Sequence, residues 1–251
     1  MGKEILNYYG NLCTEMYELL HPTAPTDELN FYLSYVENKK EFKILEPLCG
    51  SGRFLIPFME KGYDIKGMDL SKEMLDKLLL KRKNANVCCC SIEEYKTEEK
   101  FDYIFISSGS MSLFTDINIC KEVLSKIKNL LSLNGKFVFA VDTTKTANVN
   151  NDTYNENISV ITKEGYCIKL KSKDYYDEEN QIQYSPSIYE LYNGENLLKS
   201  ETMNFQLKLY NLGEMEEILK SIGFNNVLTY CNFNKDIAKD NNNEILLYEC
   251  W

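Results

Sequence analysis

At 251 residues, 44% of them hydrophobic and 26% charged, the chain is long enough to bury a full core, as one elaborated domain or as two small ones. With 38 acidic against 28 basic residues and the basic ones scattered, it lacks the basic face that holding a phosphate backbone normally takes, which argues against nucleic acid as substrate. No apolar run approaches a membrane span and no basic-plus-apolar leader is present, so the expected setting is the cytoplasm, with no membrane partner.

Residues 1–40 read as helical. A first piece carries Tyr8, Tyr9, Met16, Tyr17 and Leu20; the prolines of His21-Pro22-Thr23-Ala24-Pro25 break it, and Thr26 is placed to cap a second helix with Leu29, Tyr32, Leu33 and Val36 on one face. A βα alternation then begins. A strand over 43–48 runs into the turn Leu48-Cys49-Gly50-Ser51-Gly52-Arg53, and a helix over 52–61 stops at Gly62. A strand over 64–69 ends in Asp69, and Ser71 starts a helix with Met74, Leu75, Leu78 and Leu79 inward.

The next strand, 86–90, contains Cys88-Cys89-Cys90. Neither this run nor the other cysteines stand at framework spacing, and one histidine with no C-x-x-C pair leaves nothing that resembles a zinc site. All nine read as reduced thiols, and no metal is expected. After a polar loop over 91–100, a buried strand over 101–106 ends in Ser107-Ser108-Gly109-Ser110-Met111-Ser112. A helix over 116–132 ends at Asn134-Gly135, and a strand follows over 136–142.

From there the apolar period changes to two. Segments 167–173, 181–192 and 197–209 alternate and are joined by residues 177–180 and by Asn193-Gly194, a strong hairpin signal. They read as an antiparallel sheet, rich in tyrosine, inserted after the fifth strand. Asn211 and Glu214 start a last helix, Gly223 stops it, and strands near 224–231 and 244–250 complete a core of about seven strands.

Three strand ends thus carry the chemistry. Glycine suits the sharp Gly50-x-Gly52 turn, where backbone takes positive φ or approaches a ligand, and Asp69 stands where a carboxylate accepts hydrogen bonds from both hydroxyls of a ribose. A dinucleotide fingerprint would need a third glycine where this chain has Leu55. The acidic residue followed by Cys49-Gly50-Ser51-Gly52-Arg53 resembles instead motif I of the class I S-adenosylmethionine-dependent methyltransferases, and the insertion resembles their small-molecule type, close to methyltransferase domain 25. Glu46 suits that ligand, a phosphate-free cation bearing an ammonium and a sulfonium.

The resemblance implies an α/β, Rossmann-like, mainly parallel seven-stranded sheet with helices on both faces. It implies a helical lid over 1–40, a core over 41–145 and 206–251, and an antiparallel roof over 146–205. S-adenosylmethionine would lie against Tyr17, Glu46, Leu48, Gly50, Gly52, Arg53, Asp69, Leu70, Met74, Ser107, Ser108 and Gly109. The family's acidic adenine-binding residue falls at Ser91, so adenine would rest on the backbone of Ser91 and Ile92, or on Glu93. Tyr9, Ser110, Met111, Tyr175 and Tyr184 would border the acceptor. Methyl transfer from a sulfonium needs alignment more than a catalytic group; if the acceptor must lose a proton, His21 is the candidate base. The expected activity is methylation at N or O of a small molecule by a monomer or homodimer. A cofactor-binding regulator and a protein or RNA methyltransferase remain as alternatives.

Overall fold

A computed structural model describes residues 6–251. Strands β1 (Lys43–Pro47), β2 (Asp64–Asp69), β3 (Asn86–Cys89), β4 (Phe101–Ile106), β5 (Leu131–Asp142), β10 (Val227–Tyr230) and β11 (Ile245–Cys250) form one sheet in the order β10-β11-β5-β4-β1-β2-β3. The five strands from β1 to β5 run parallel, and β11 runs antiparallel to both β5 and β10. The inner strands β1 and β4 are buried on both sides, as a sheet sandwiched between helices requires, and two large buried clusters cover its faces. α3 (Leu55–Glu60), α4 (Lys72–Lys81), α5 (Ile117–Leu130) and α6 (Glu214–Ile222) connect them.

Local signals account for these boundaries. The Ser71 hydroxyl caps α4 by accepting from the Met74 N–H at 3.1 Å, and Asp116 caps α5 in the same way. Gly223 ends α6 in the left-handed region. Two expected boundaries differ. Thr26 is the first residue of α2 (Thr26–Leu33), behind Pro25, and makes no side-chain cap. Asn134-Gly135 is no helix stop, because β5 begins directly after α5. The sheet absorbs those residues as a register shift against Phe101–Tyr103, with Gly135 pressed so close that a Cβ would lie 2.7 Å from the Phe101 carbonyl oxygen.

A second sheet, β6-β7-β8-β9, is antiparallel throughout. It comprises β6 (Asn151–Ile161), β7 (Cys167–Asp177), β8 (Ile182–Asn193) and β9 (Asn196–Lys208). β6 was not foreseen, because it is an almost wholly exposed polar edge strand without apolar alternation. Helix α1 (Asn11–Leu20) packs its buried Leu12, Cys13 and Met16 against Ile168, Tyr189 and Met203 of this sheet. On its other side α1 is bound to α4 by the ion pairs Glu15–Lys77 and Glu18–Lys81. No helix among the described residues is long and apolar enough to cross a membrane.

One close approach shapes the first turn. At Gly67 in β2 a Cβ would lie 2.5 Å from Leu55 Cδ1 and 2.8 Å from Cys49 Sγ, so this glycine lets α3 and the turn before it settle onto the sheet. Gly67→Ala is expected to cost roughly 2–4 kcal/mol by overpacking and to lower the denaturation midpoint without changing the denaturant slope. A stability equal to wild type would show that this contact is slack.

Candidate active site

At the carboxyl ends of β1, β2 and β4 the chain leaves the sheet through strained turns. Leu48, Gly50, Gly52, Ser108 and Gly109 all have positive φ, from 52° to 83°. These turns surround a cavity of about 420 Å³ lined by Tyr9, Tyr17, Leu48, Gly50, Asp69, Leu70, Met74, Glu93 and Ser110, among others. Asp69, at the end of β2, is one of its walls. Its Oδ2 accepts from the Gly50 N–H and its Oδ1 from the Ser71 N–H, both at 2.8 Å. Burial raises its pKa, an effect the backbone donors oppose.

Below the cavity lies a pit of buried carboxylates with one cation. Glu46 is 1% exposed; one of its oxygens accepts from the Ser107 hydroxyl at 3.4 Å, and the other, Oε2, has no partner. Burial holds its carboxyl well above the usual range. Glu28 of α2 is also buried, accepts from the Ser108 N–H at 2.7 Å, and is raised for the same reason. Arg53 donates from Nη2 to the Ser108 hydroxyl at 2.5 Å and lies 5.5 Å from the Tyr17 ring centre, yet its buried Nε has no partner either. Two orphaned groups, a buried carboxyl and a guanidinium, therefore lie near each other without a hydrogen bond between them. A free α-amino acid group carries the complement of both, a carboxylate for Arg53 and an ammonium for Glu46. The residues thus suit the methionine end of S-adenosylmethionine, and Asp69 suits its ribose.

The expected site residues divide. Tyr9, Tyr17, Leu48, Gly50, Asp69, Leu70, Met74 and Ser110 stand together on the cavity wall, while Glu46, Arg53, Ser107 and Ser108 meet in the pit behind it. Gly52 and Gly109 shape turns: a Cβ on Gly52 would lie 2.8 Å from Leu78 Cγ, and one on Gly109 2.9 Å from Asp142 Oδ2. Ser91 and Ile92 do not line the cavity. The Ile92 side chain is buried in the core and the Ser91 hydroxyl accepts from the Glu94 N–H, so only their backbone is left for adenine, while Glu93, the alternative, lines the cavity. Met111 does not border an acceptor, being fully buried in the main cluster.

Tyr175 and Tyr184 also fall away from the site, and strand parity is the reason. Leu170, Ser172 and Asp174 of β7 and Ser185, Ser187 and Tyr189 of β8 line a second cavity of about 340 Å³ beneath α1. Side chains alternate along a strand, so Tyr175 and Tyr184 point from the opposite face, where they stack with ring centres 6.0 Å apart. Tyr9 and Tyr17 line both cavities and meet edge to face at 5.9 Å between centres, which makes them the partition. His21 lines the second cavity 5.0 Å from the Tyr17 ring. Burial and then Arg53 lower its pKa, which keeps the imidazole neutral and able to accept a proton near pH 7.

Sequence reasoning missed Glu28 and Asn7. Asn7 donates to the Leu113 and Gln206 carbonyl oxygens at 3.1 and 3.0 Å and accepts from the Gln206 N–H at 2.8 Å, which fastens the segment before α1 to the turn after β4 and to the second sheet. The Ser71 hydroxyl donates to the Tyr9 carbonyl oxygen at 2.7 Å and holds the same segment over the cavity.

Asp142 ends β5 against Gly109, and burial pushes its pKa up to about 6, with the Ser112 hydroxyl opposing. A carboxyl raised on folding stabilises below its unfolded pKa and loses that contribution as pH rises through the folded value. The stability of wild type relative to Asp142→Asn is therefore expected to fall by about 3 kcal/mol between pH 4 and pH 7, two pKa units at about 1.4 kcal/mol each. Denaturant titrations of both proteins across that window measure it, and a difference independent of pH would refute the shift.

Comparison with known proteins agrees with this geometry. Residues 44–135 match the model of a family described as a methyltransferase domain. YqeM of Bacillus subtilis (strain 168), provisionally named a methyltransferase, is 25% identical over 218 residues, 83% of this chain and 83% of its own. A S-adenosylmethionine-dependent methyltransferase from Clostridium acetobutylicum superposes with a TM-score of 0.74 at 18% identity, covering 94% of this chain and 95% of that one. The sugar N-methyltransferase KedS8 from Streptoalloteichus gives 0.72 at 15% identity, over 99% and 98%. Such identities speak for the fold, and they do so over nearly the whole chain, second sheet included.

Proposed function

We propose, from the match of residues 44–135 to the model of a methyltransferase domain, that the chain is a class I, S-adenosylmethionine-dependent enzyme that methylates N or O of a small molecule. The observation that carries the reading is the pit beneath the Asp69 cavity, where Glu46 Oε2 and Arg53 Nε are buried without partners. Asp69 and Glu93 would hold the nucleoside, while Arg53 and Glu46 would hold the amino acid end. When bound, S-adenosylmethionine supplies an electrophilic methyl and leaves as S-adenosylhomocysteine. The carboxyl groups of Glu28, Glu46 and Asp69 favour a positive guest electrostatically, and the segment from Asn7 to Leu20 acts as a lid that keeps water out, whereas α2, expected as part of that lid, packs into the core.

The acceptor is assigned to the second cavity, under a roof formed by residues 146–205. The sheet side of that cavity mixes polar groups, Ser172, Asp174 and Ser185 among them, with apolar Leu170, Met203 and Phe205, and the α1 side is apolar, with Cys13, Met16 and Leu20. A compact polar molecule with one apolar face suits such walls, and a volume of about 340 Å³ is small for a polymer segment. Tyr9 and Tyr17 align the two guests, and His21 accepts a proton where the acceptor must release one.

The test is transfer of label from methyl-labelled S-adenosylmethionine in cell extract, with products separated by size. Label in a small molecule supports the reading; label in protein or RNA overturns the acceptor class, and calorimetric binding without transfer in any extract points to a regulator. Unchanged turnover by His21→Ala on the acceptor so found would remove the base.

A further inference from the structure

β3 is the outer strand of the large sheet, and its register sets Cys88 opposite Met68 and Cys89 opposite Asp69. Alternation places Cys88 and Cys90 on one face and Cys89 on the other. The Cys88 and Cys90 sulfurs lie 3.0 Å apart, whereas Cys89 Sγ points to the Leu70 carbonyl oxygen at 3.7 Å. Cys88 is exposed and Cys90 partly so, within reach of a small molecule in solution. β3 ends at Cys89 and the chain bends at Cys90, so the two Cα atoms lie no farther apart than the roughly 6.6 Å of fully extended backbone, inside the span that a disulfide bridges.

We propose that Cys88 and Cys90 are a thiol–disulfide exchange site that a low-molecular-weight disulfide converts into an intramolecular bridge, and that closing the bridge loosens the nucleoside cavity. The exposed Cys88 thiolate attacks one sulfur of the small disulfide and expels one small thiol. The Cys90 thiolate then attacks the Cys88 sulfur of the mixed disulfide and expels the second. Two protein thiols and one small disulfide become one protein disulfide and two small thiols. The two electrons lost by the cysteines reside in the small thiols.

The consequence follows from what the strand holds. The Cys90 N–H donates to the Asp69 carbonyl oxygen at 3.1 Å, the last rung that ties this strand end to the residue assigned to the ribose. Glu93, three residues on, lines the cavity. A disulfide draws the two Cβ atoms to roughly 3.8 Å, closer than an extended strand keeps them, so the backbone at Cys89 kinks and Cys90 is pulled off that rung. The loss of affinity rests on the cofactor reading above; formation of the bridge does not.

The experiment incubates the full chain with oxidised glutathione, alkylates the remaining thiols and maps peptides by mass spectrometry, with S-adenosylhomocysteine calorimetry before and after. The expected result is a Cys88–Cys90 bridge with Cys89 alkylated, reversed by dithiothreitol, kept in Cys89→Ser and absent from Cys88→Ser and Cys90→Ser. Affinity is expected to fall about tenfold or more in oxidised wild type and to stay constant in treated Cys88→Ser. A persistent glutathione adduct, a bridge through Cys89 or a covalent dimer overturns the site. A complete bridge with unchanged affinity overturns the coupling. Should the reduced protein bind no S-adenosylhomocysteine, the coupling falls together with the cofactor reading, and the mass map still decides the bridge.

Discussion

Asp69→Ala is expected to weaken S-adenosylhomocysteine binding by about 100- to 1,000-fold, the largest loss from any single substitution in this chain. An ionised carboxylate has about four acceptor sites, and this one spends one on the Gly50 N–H and one on the Ser71 N–H. Asp69 lines the cavity at the end of β2, placed for a ribose diol. Two hydrogen bonds to an ionised acceptor are worth roughly 1.5–3 kcal/mol each, which gives the stated range once some loss to water is allowed. The substitution also unties two backbone groups that shape the first turn, so a stability control is needed. Asp69→Asn keeps one acceptor oxygen and is expected to fall between the two. Calorimetry on folded protein measures all three, and equal binding by wild type and Asp69→Ala would contradict the ribose assignment.

What the sequence disclosed was mostly local. Gly62, Ser71 and Gly223 mark helix ends because a backbone turn demands such residues within a few positions, and each acts at its expected place. The three strand ends were legible because a parallel sheet puts its turns at one edge. What stayed hidden was decided at long range. Glu28 reaches Ser108, 80 residues away, from the face of α2 that also buries Phe31 and Tyr32. An acidic residue four places before Tyr32 is a usable signal, but the face expected from Leu29, Tyr32, Leu33 and Val36 lies one residue round from Glu28 and Phe31. Asn7 reads as a turn residue until its partners Leu113 and Gln206 are known. For the tyrosines of the second sheet, period two was visible and the choice of face was not. Both faces of β7 carry large side chains, and only the seating of α1 decides which lies inside.

Arg53→Leu separates the two halves of the proposed ligand. Arg53 touches nothing assigned to the nucleoside; its contacts are Ser108, Tyr17 and Phe54, and its free Nε lies in the pit with Glu46. S-adenosylhomocysteine affinity is therefore expected to drop about 10- to 100-fold, the worth of one charge-assisted contact to a carboxylate. Methylthioadenosine has the same nucleoside without the amino acid group, and its affinity is expected to hold within about threefold, less than 1 kcal/mol. Asp69→Ala should weaken both ligands. The substitution also removes the cation that opposes the raised pKa values of Glu46 and Glu28. Both carboxyls then rise further, and a carboxyl raised on folding loses stability as pH increases, so the stability deficit of Arg53→Leu is expected to widen from acid to neutral pH. Equal losses for the two ligands would mean that Arg53 only supports the turn beneath the nucleoside, and the methionine end of the cofactor would need another anchor.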